Sequence, residues 1–153
     1  MNKAYFPKSI TIIRSSGIYI PTKDLSAKAI NHLKRLAAFK NPEFYAKLGM
    51  RLPVYNLPRI ISCSEITDEY LILPRGCEDS AMDFLRENNV DVEIQDKANP
   101  GMPITVEFNG LLYPEQEQAI VELARHRCGT LYATTAFGKT VTAAAMIARK
   151  EVN

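Results

Sequence analysis

The chain is poor in the features that mark membrane, secreted and metal-clip proteins. Its longest apolar stretches, such as residues 141–148, fall far short of the ~20 residues that span a bilayer, and residues 1–8 hold no apolar signal core. Neither membrane insertion nor export is expected. Cysteine is scarce: Cys63, Cys77 and Cys128 form no close pair, and an odd number cannot all be bridged internally. A disulfide framework and a metal clip lose support, and a reducing cytoplasm is the expected setting. Cys63 lies in an apolar stretch and Cys128 directly precedes another, so both read as ordinary buried thiols. The two histidines, His32 and His126, are far apart with no metal-motif carboxylates around them, and read as surface or capping residues. Proline and glycine are scattered rather than clustered, which excludes collagen-like repeats and long disordered tracts. What remains, at 153 residues, is a soluble globular chain: one ordinary domain, or a small domain with a fragment of another.

The net charge of +2 conceals an asymmetry. Residues 28–51 carry six bases (Lys28, Lys34, Arg35, Lys40, Lys47, Arg51) against Glu43 alone, while residues 78–96 carry seven acids against Arg86 alone. A basic face suits a polyanion such as nucleic acid, because binding releases condensed counterions. A solvated helix surface carries the same charges, and charge alone does not separate the two. Arg51, Arg59 and Arg75 adjoin proline-marked turns and are placed either to meet phosphates from loops or to lie solvated on the surface.

The hydrophobic pattern predicts a mixed α/β protein. Residues 10–13 and 17–20 read as two strands about a Ser15-Ser16-Gly17 turn, followed by a helix capped at Asp24 or Ser26 and running to about Phe39. Asn41 and Pro42 open a short helix carrying Phe44 and Tyr45, two aromatics beside the basic cluster, of which at least one is expected in the core. Residues 59–63 and 70–73 read as strands forming a hairpin, then a helix spans about 78–88 and a half-exposed strand carries Val90, Val92 and Ile94. Asn99-Pro100-Gly101 and Pro103 mark a junction. The expected organisation is a small accessory α/β domain over residues 1–98, a linker over 99–103, and a second domain over 104–153. In the latter a strand is predicted at 104–108, a helix from Pro114 to about His126, a strand at 129–133, a loop, and a helix from Thr140 to Arg149.

Strand, loop and helix in that order build a phosphate cradle. The stretch Ala133-Thr134-Thr135-Ala136-Phe137-Gly138-Lys139-Thr140 lies between an apolar run and an Ala-rich helix. Loop N–H groups can converge on phosphate oxygens, Lys139 can reach them as a flexible cation, and Thr140 can place its hydroxyl on Mg²⁺. Gly138 stands where the backbone needs an unusual dihedral or close phosphate approach. The strict pattern G-x-x-x-x-G-K-[ST] is missed at its first position, occupied by Ala133, and Ala136 stands where glycine is common.

Phe137-Gly138-Lys139-Thr140-Val141 followed by Ala143-Ala144-Ala145 resembles motif I of superfamily-2 helicases. Leu112-Tyr113-Pro114-Glu115-Gln116 with Ala119-Ile120 resembles the helix that carries an adenine-recognising glutamine in that family. The earlier segments Asn41-Pro42-Glu43-Phe44-Tyr45, Met50-Arg51, Pro58-Arg59-Ile60-Ile61 and Leu73-Pro74-Arg75-Gly76 are similar to the region before motif I in bacterial DEAD/DEAH-box helicases of the restriction-subunit and conflict-system type. Their accessory domain resembles the damage-recognition domain of XPB-type repair helicases. The resemblance implies ATP and Mg²⁺ as cofactors, with ATP bound by Gln116 and residues 133–140, and Phe108 or Tyr113 stacking on the base. It further implies an incomplete RecA-like domain from residue 104 and an accessory domain that touches nucleic acid, DNA ahead of RNA; the bases that the charge pattern and turns offer for that contact are Lys34, Arg35, Lys47, Arg51, Arg59 and Arg75.

Family catalysis needs an Asp-Glu pair on a later strand and arginines from a second lobe. No such pair follows Lys139, so the chain reads as the amino-terminal part of a longer helicase or translocase, unable to hydrolyse ATP alone. Two rivals stay open: a freestanding nucleic-acid-binding or interaction module with a vestigial loop, and a small P-loop kinase, weakened by the loop's position near the carboxyl end.

Overall fold

The computed structural model describes residues 6–152. They gather into two compact units that divide between Ala98 and Asn99.

The first unit opens with β1 (Ser9–Arg14) and β2 (Ile18–Pro21), an antiparallel pair turned by Ser15, whose N–H donates to the Gly17 carbonyl at 2.9 Å. Position 17 admits only glycine without adjustment, since a Cβ there would stand 2.9 Å from the Leu73 carbonyl oxygen. Helix α1 (Ala27–Leu36) follows, with the Ser26 hydroxyl accepting from the Ala29 N–H at 3.3 Å. After it come β3 (Ala38–Lys40), α2 (Pro42–Gly49), β4 (Ile60–Ser62), β5 (Glu65–Ile66), β6 (Tyr70–Leu73), α3 (Glu78–Glu87) and β7 (Asp91–Asp96). Five strands form one mixed sheet in the order β5-β6-β2-β1-β7, where only β7 runs parallel to its neighbour β1. Alternation places Ile10 and Ile12, Ile18 and Ile20, and Leu71 and Leu73 on one face. That face buries against Ala29 and Leu33 of α1 and Ala81 and Leu85 of α3, giving a two-layer α/β core. Arg14, at the end of β1, binds both Glu78 at the start of α3 and Asp96 at the end of β7. The bond to Glu78 is the larger cause of the guanidinium's raised pKa.

Two expectations are corrected in this unit. The helix predicted to reach Phe39 stops at Leu36, because residues 38–40 pair with β4, in register Phe39 with Ile61, and ladder bonds outcompete a last helical turn. The hairpin expected between residues 59–63 and 70–73 does not form. β6 pairs instead with β2 and β5, a register that turns Leu71 and Leu73 inward beside Ile18 and Ile20.

Asn41 locks the small β3-β4-α2 lobe. Its Oδ1 accepts from the Glu43 N–H at 3.1 Å, capping α2, and its Nδ2 donates to the Pro58 carbonyl at 2.8 Å. Its own N–H donates to the Arg59 carbonyl at 3.0 Å, and the residue is buried. Asn41→Ala loses the cap and leaves the Pro58 carbonyl without this donor, at an expected cost of about 2 kcal/mol in denaturant unfolding. Asn41→Asp, which keeps the acceptor but not the donor, should recover part of that loss; equal costs for the two variants would contradict this division of labour.

The second unit holds α4 (Pro114–Arg125) and α5 (Lys139–Lys150), packed on each other. The strands expected at 104–108 and 129–133 are not formed: among the described residues the unit's β pairing is a single bridge between Pro103 and Val152. An extended segment becomes a strand only when a neighbour takes its N–H and C=O groups, and no such neighbour stands beside residues 129–133 among those described. The apolar interior is correspondingly thin, comprising Ile120 and Ala145 with the buried polar groups Gln116 and Thr142, while Val141 and Ile147 stay exposed. Amide hydrogen exchange is therefore expected to be faster in α4 and α5 than in β1, β2 and β6; the reverse order would overturn this view of the two units. The whole is a mixed α/β protein with a five-stranded sheet.

Candidate phosphate loop and basic aromatic surface

The loop before α5 is built around two left-handed residues. Gly138 has φ +85° and forms the N-terminal boundary of α5, and Ala136, two residues earlier, has φ +66°. A side chain at φ > 0 is unfavourable, so Ala136 occupies a conformation that glycine would adopt more easily. The turn is closed by the Phe137 N–H donating to the Thr134 carbonyl at 3.4 Å. The Lys139 ammonium folds back into it, donating to the carbonyls of Ala133 at 2.9 Å and Thr134 at 2.8 Å. Lys139 and Thr140 are exposed in the first turn of α5, where the N–H groups have no intrahelical acceptor. Thr134, Thr135 and Ala136 are exposed as well. Residues 133–140 thus combine a cation, a hydroxyl and helix-start donors at one accessible place.

Gln116 sits beneath the loop rather than open to a ligand. It is 4% exposed; its Nε2 donates to the Phe137 carbonyl at 2.7 Å and its Oε1 accepts from the Tyr113 N–H at 2.9 Å. One side chain therefore caps α4 and ties that cap to the loop. Reading an adenine edge would require these bonds to be exchanged. Of the two candidate stacking aromatics, Tyr113 is exposed and Phe108 half-buried. A cleft of about 420 Å³ lies between α4 and the residues leading into the loop, lined among others by Gln118, Ala119, Tyr132 and Phe137. Gln118 offers a second amide there, at a position that no sequence motif marks. Glu122, also lining the cleft, has its carboxyl pKa lowered, chiefly by a hydrogen bond with His126 and then by Arg125.

The basic residues of the first unit divide by place. Lys34 and Arg35 occupy the last turn of α1, where cations oppose the helix's negative end. Lys47 lies in the last turn of α2 and pairs with Glu43 at 2.8 Å. Arg51 follows α2 with φ +57° and is exposed. Arg59 enters β4 with its guanidinium 5.5 Å from the centre of the Phe44 ring. Arg75 stands apart from these: its Nε donates to the Ser16 carbonyl at 3.2 Å, bracing the β1-β2 turn. Phe44 is buried and Tyr45 exposed, which divides the aromatic pair between core and surface.

The thiol expectation is corrected. Cys63 and Cys128 are exposed, because residue 63 lies beyond the end of β4 and residues 129–133 form no buried strand. Cys77 is the half-buried one, its Sγ donating to the Leu36 carbonyl at 3.6 Å, and burial pushes its pKa up. No helix among the described residues is long and apolar enough to cross a membrane. Compared with protein-family models, curated proteins and solved structures, the chain matches none.

Proposed function

We propose that the second unit binds the phosphates of ATP with Mg²⁺, and that the first unit contacts nucleic acid, DNA in preference to RNA, in a cytoplasmic helicase or translocase of the superfamily-2 kind. The observation that carries the reading is the Lys139 ammonium, held within 2.9 Å of two loop carbonyls behind a left-handed Gly138 at the start of α5.

The residues present suit the phosphate group by their chemistry. Lys139 is a flexible cation whose current acceptors are neutral carbonyls, and a phosphate oxygen is a stronger acceptor for an ammonium. Binding would move the ammonium from Ala133 and Thr134 to the phosphate. The N–H groups of the first turn of α5 would add donors along the positive end of the helix. Thr140 would hold Mg²⁺, which neutralises phosphate charge when bound. Gln118 and Tyr132, in the cleft beside the loop, are the groups available to a base. Under this reading residues 104–153 are the beginning of a RecA-like domain. Residues 140–150 hold no acid, so none of them supplies a carboxylate to hold Mg²⁺ or orient water.

Calorimetric titration of the chain with ATP, with and without Mg²⁺, tests the proposal. Saturable binding that strengthens with Mg²⁺ is the expected result, and no heat at any ATP concentration would refute it.

A further inference from the structure

On the small lobe of the first unit, cations and rings alternate in space. The Lys40 ammonium stands 5.9 Å from the centre of the Tyr45 ring. Tyr45 meets Phe44 edge-on, with centroids 5.2 Å apart and planes at 74°, and Phe44 carries the Arg59 guanidinium at 5.5 Å. The fold makes this series. Lys40 ends β3 and pairs in register with Ile60 at the start of β4, which brings Lys40 and Arg59 to the same end of the two-stranded ladder. Asn41 pins the start of α2 to the Pro58 and Arg59 carbonyls, so the two rings of α2 lie between the two cations.

Phe44 is buried and supports the lobe, while Tyr45 remains 43% exposed. Phe39 and Tyr55 are exposed on the same lobe, Tyr55 almost fully at 94%. Residues 38–62 carry four bases, Lys40, Lys47, Arg51 and Arg59, against Glu43 as the only acid. An apolar partner would be answered by the rings but not by this excess of positive charge. A duplex would be answered by the charge but would keep its bases stacked within itself. A single strand uses both, with phosphates against the cations and unpaired bases against ring faces.

We infer that the β3-β4-α2 lobe is a stacking platform for single-stranded nucleic acid, with Tyr45 as the base-contacting ring and Lys40, Arg51 and Arg59 tracking the backbone. The inference rests on the nucleic-acid reading of the first unit and narrows it to one strand form and one ring.

The test compares the full chain's affinity for a short thymidine oligomer, an abasic oligomer of equal length and charge, and a duplex. Tyrosine emission provides a binding signal free of tryptophan, which the chain lacks. The thymidine oligomer should bind about tenfold more tightly than the abasic one, the size expected for one base on one ring. Tyr45→Ala should erase that difference while leaving the salt dependence of the residual binding in place, and Tyr45→Phe should restore it. Thermal unfolding of both variants separates loss of stacking from loss of fold. Equal binding of thymidine and abasic oligomers, or tighter binding of duplex, would overturn the stacking inference while leaving nucleic-acid binding standing. Binding of none of the three would remove the nucleic-acid reading itself. Self-association abolished by Tyr45→Ala, with no oligomer bound, would assign the surface to protein and overturn the inference as well.

Discussion

Lys139→Ala is expected to weaken Mg²⁺-ATP binding by at least tenfold, and by as much as about a hundredfold, with nucleic-acid affinity unchanged. The magnitude follows from the loss of one charge-assisted bond to phosphate, worth roughly 1.5–3 kcal/mol. Lys139 also holds its own loop through the carbonyls of Ala133 and Thr134, so removing it both deletes the cation and frees the turn. Lys139→Arg separates the two effects. The guanidinium keeps a positive charge and donors, yet it is larger and planar where the ammonium is compact, so it should recover only part of the affinity. Affinities are read by calorimetry with ATP and by oligomer binding on the same samples. If Lys139→Ala binds ATP as tightly as the parent chain, the loop is not the phosphate site, and the 420 Å³ cleft between α4 and the loop becomes the place to look.

What the sequence disclosed and what it hid divide along a physical line. Helices were legible because their signals are local. Ser26 and Asn41 cap α1 and α2, and Pro42 and Pro114 open α2 and α4. The strands β1, β2 and β6 were legible because alternation marks a buried face. Pairing was not, because which strand lies beside which is decided by distant residues. Ile60 and Ile61 read as partners of residues 70–73 and are instead bound to a three-residue strand hidden in the tail of an amphipathic helix pattern. Residues 104–108 and 129–133 have strand composition without a strand's neighbours. The place of the loop, directly ahead of α5, was legible from residues 133–140 together with the Ala-rich run after them. Two features of the candidate sites were not: the bond from Gln116 to the Phe137 carbonyl, which spans 21 positions, and the run from Lys40 through Tyr45 and Phe44 to Arg59, which exists only once β3 and β4 pair. Motifs announce chemistry locally, and tertiary placement decides which side chains are free to perform it.

That distinction is sharpest at Gly138, where the motif and the hidden bond meet. A Cβ at this position would stand 2.4 Å from Gln116 Nε2, with φ fixed at +85°. Gly138→Ala therefore carries two costs. One is the left-handed backbone itself, about 1–2 kcal/mol for a residue with a side chain. The other is the displacement of a buried amide that caps α4 and binds the loop, which adds about 1–3 kcal/mol as its partners lose their bonds. The second cost belongs to Gln116 and should vanish when Gln116 is already absent. Gly138→Ala is thus expected to destabilise the unit severely in the parent chain but by only the backbone cost in a Gln116→Ala background, a coupling of about 1–3 kcal/mol between residues 22 positions apart. Hydrogen exchange of the α4 and α5 amides reads each corner of the cycle locally, without requiring the first unit to unfold. Strict additivity would mean that Gln116 yields to the new methyl without loss, and that the glycine is demanded by its dihedral or by phosphate approach alone. Coupling of the expected size would make Gln116 the residue that fixes the loop's shape from below, so that Gln116→Ala should also weaken ATP binding even though its amide faces the loop backbone.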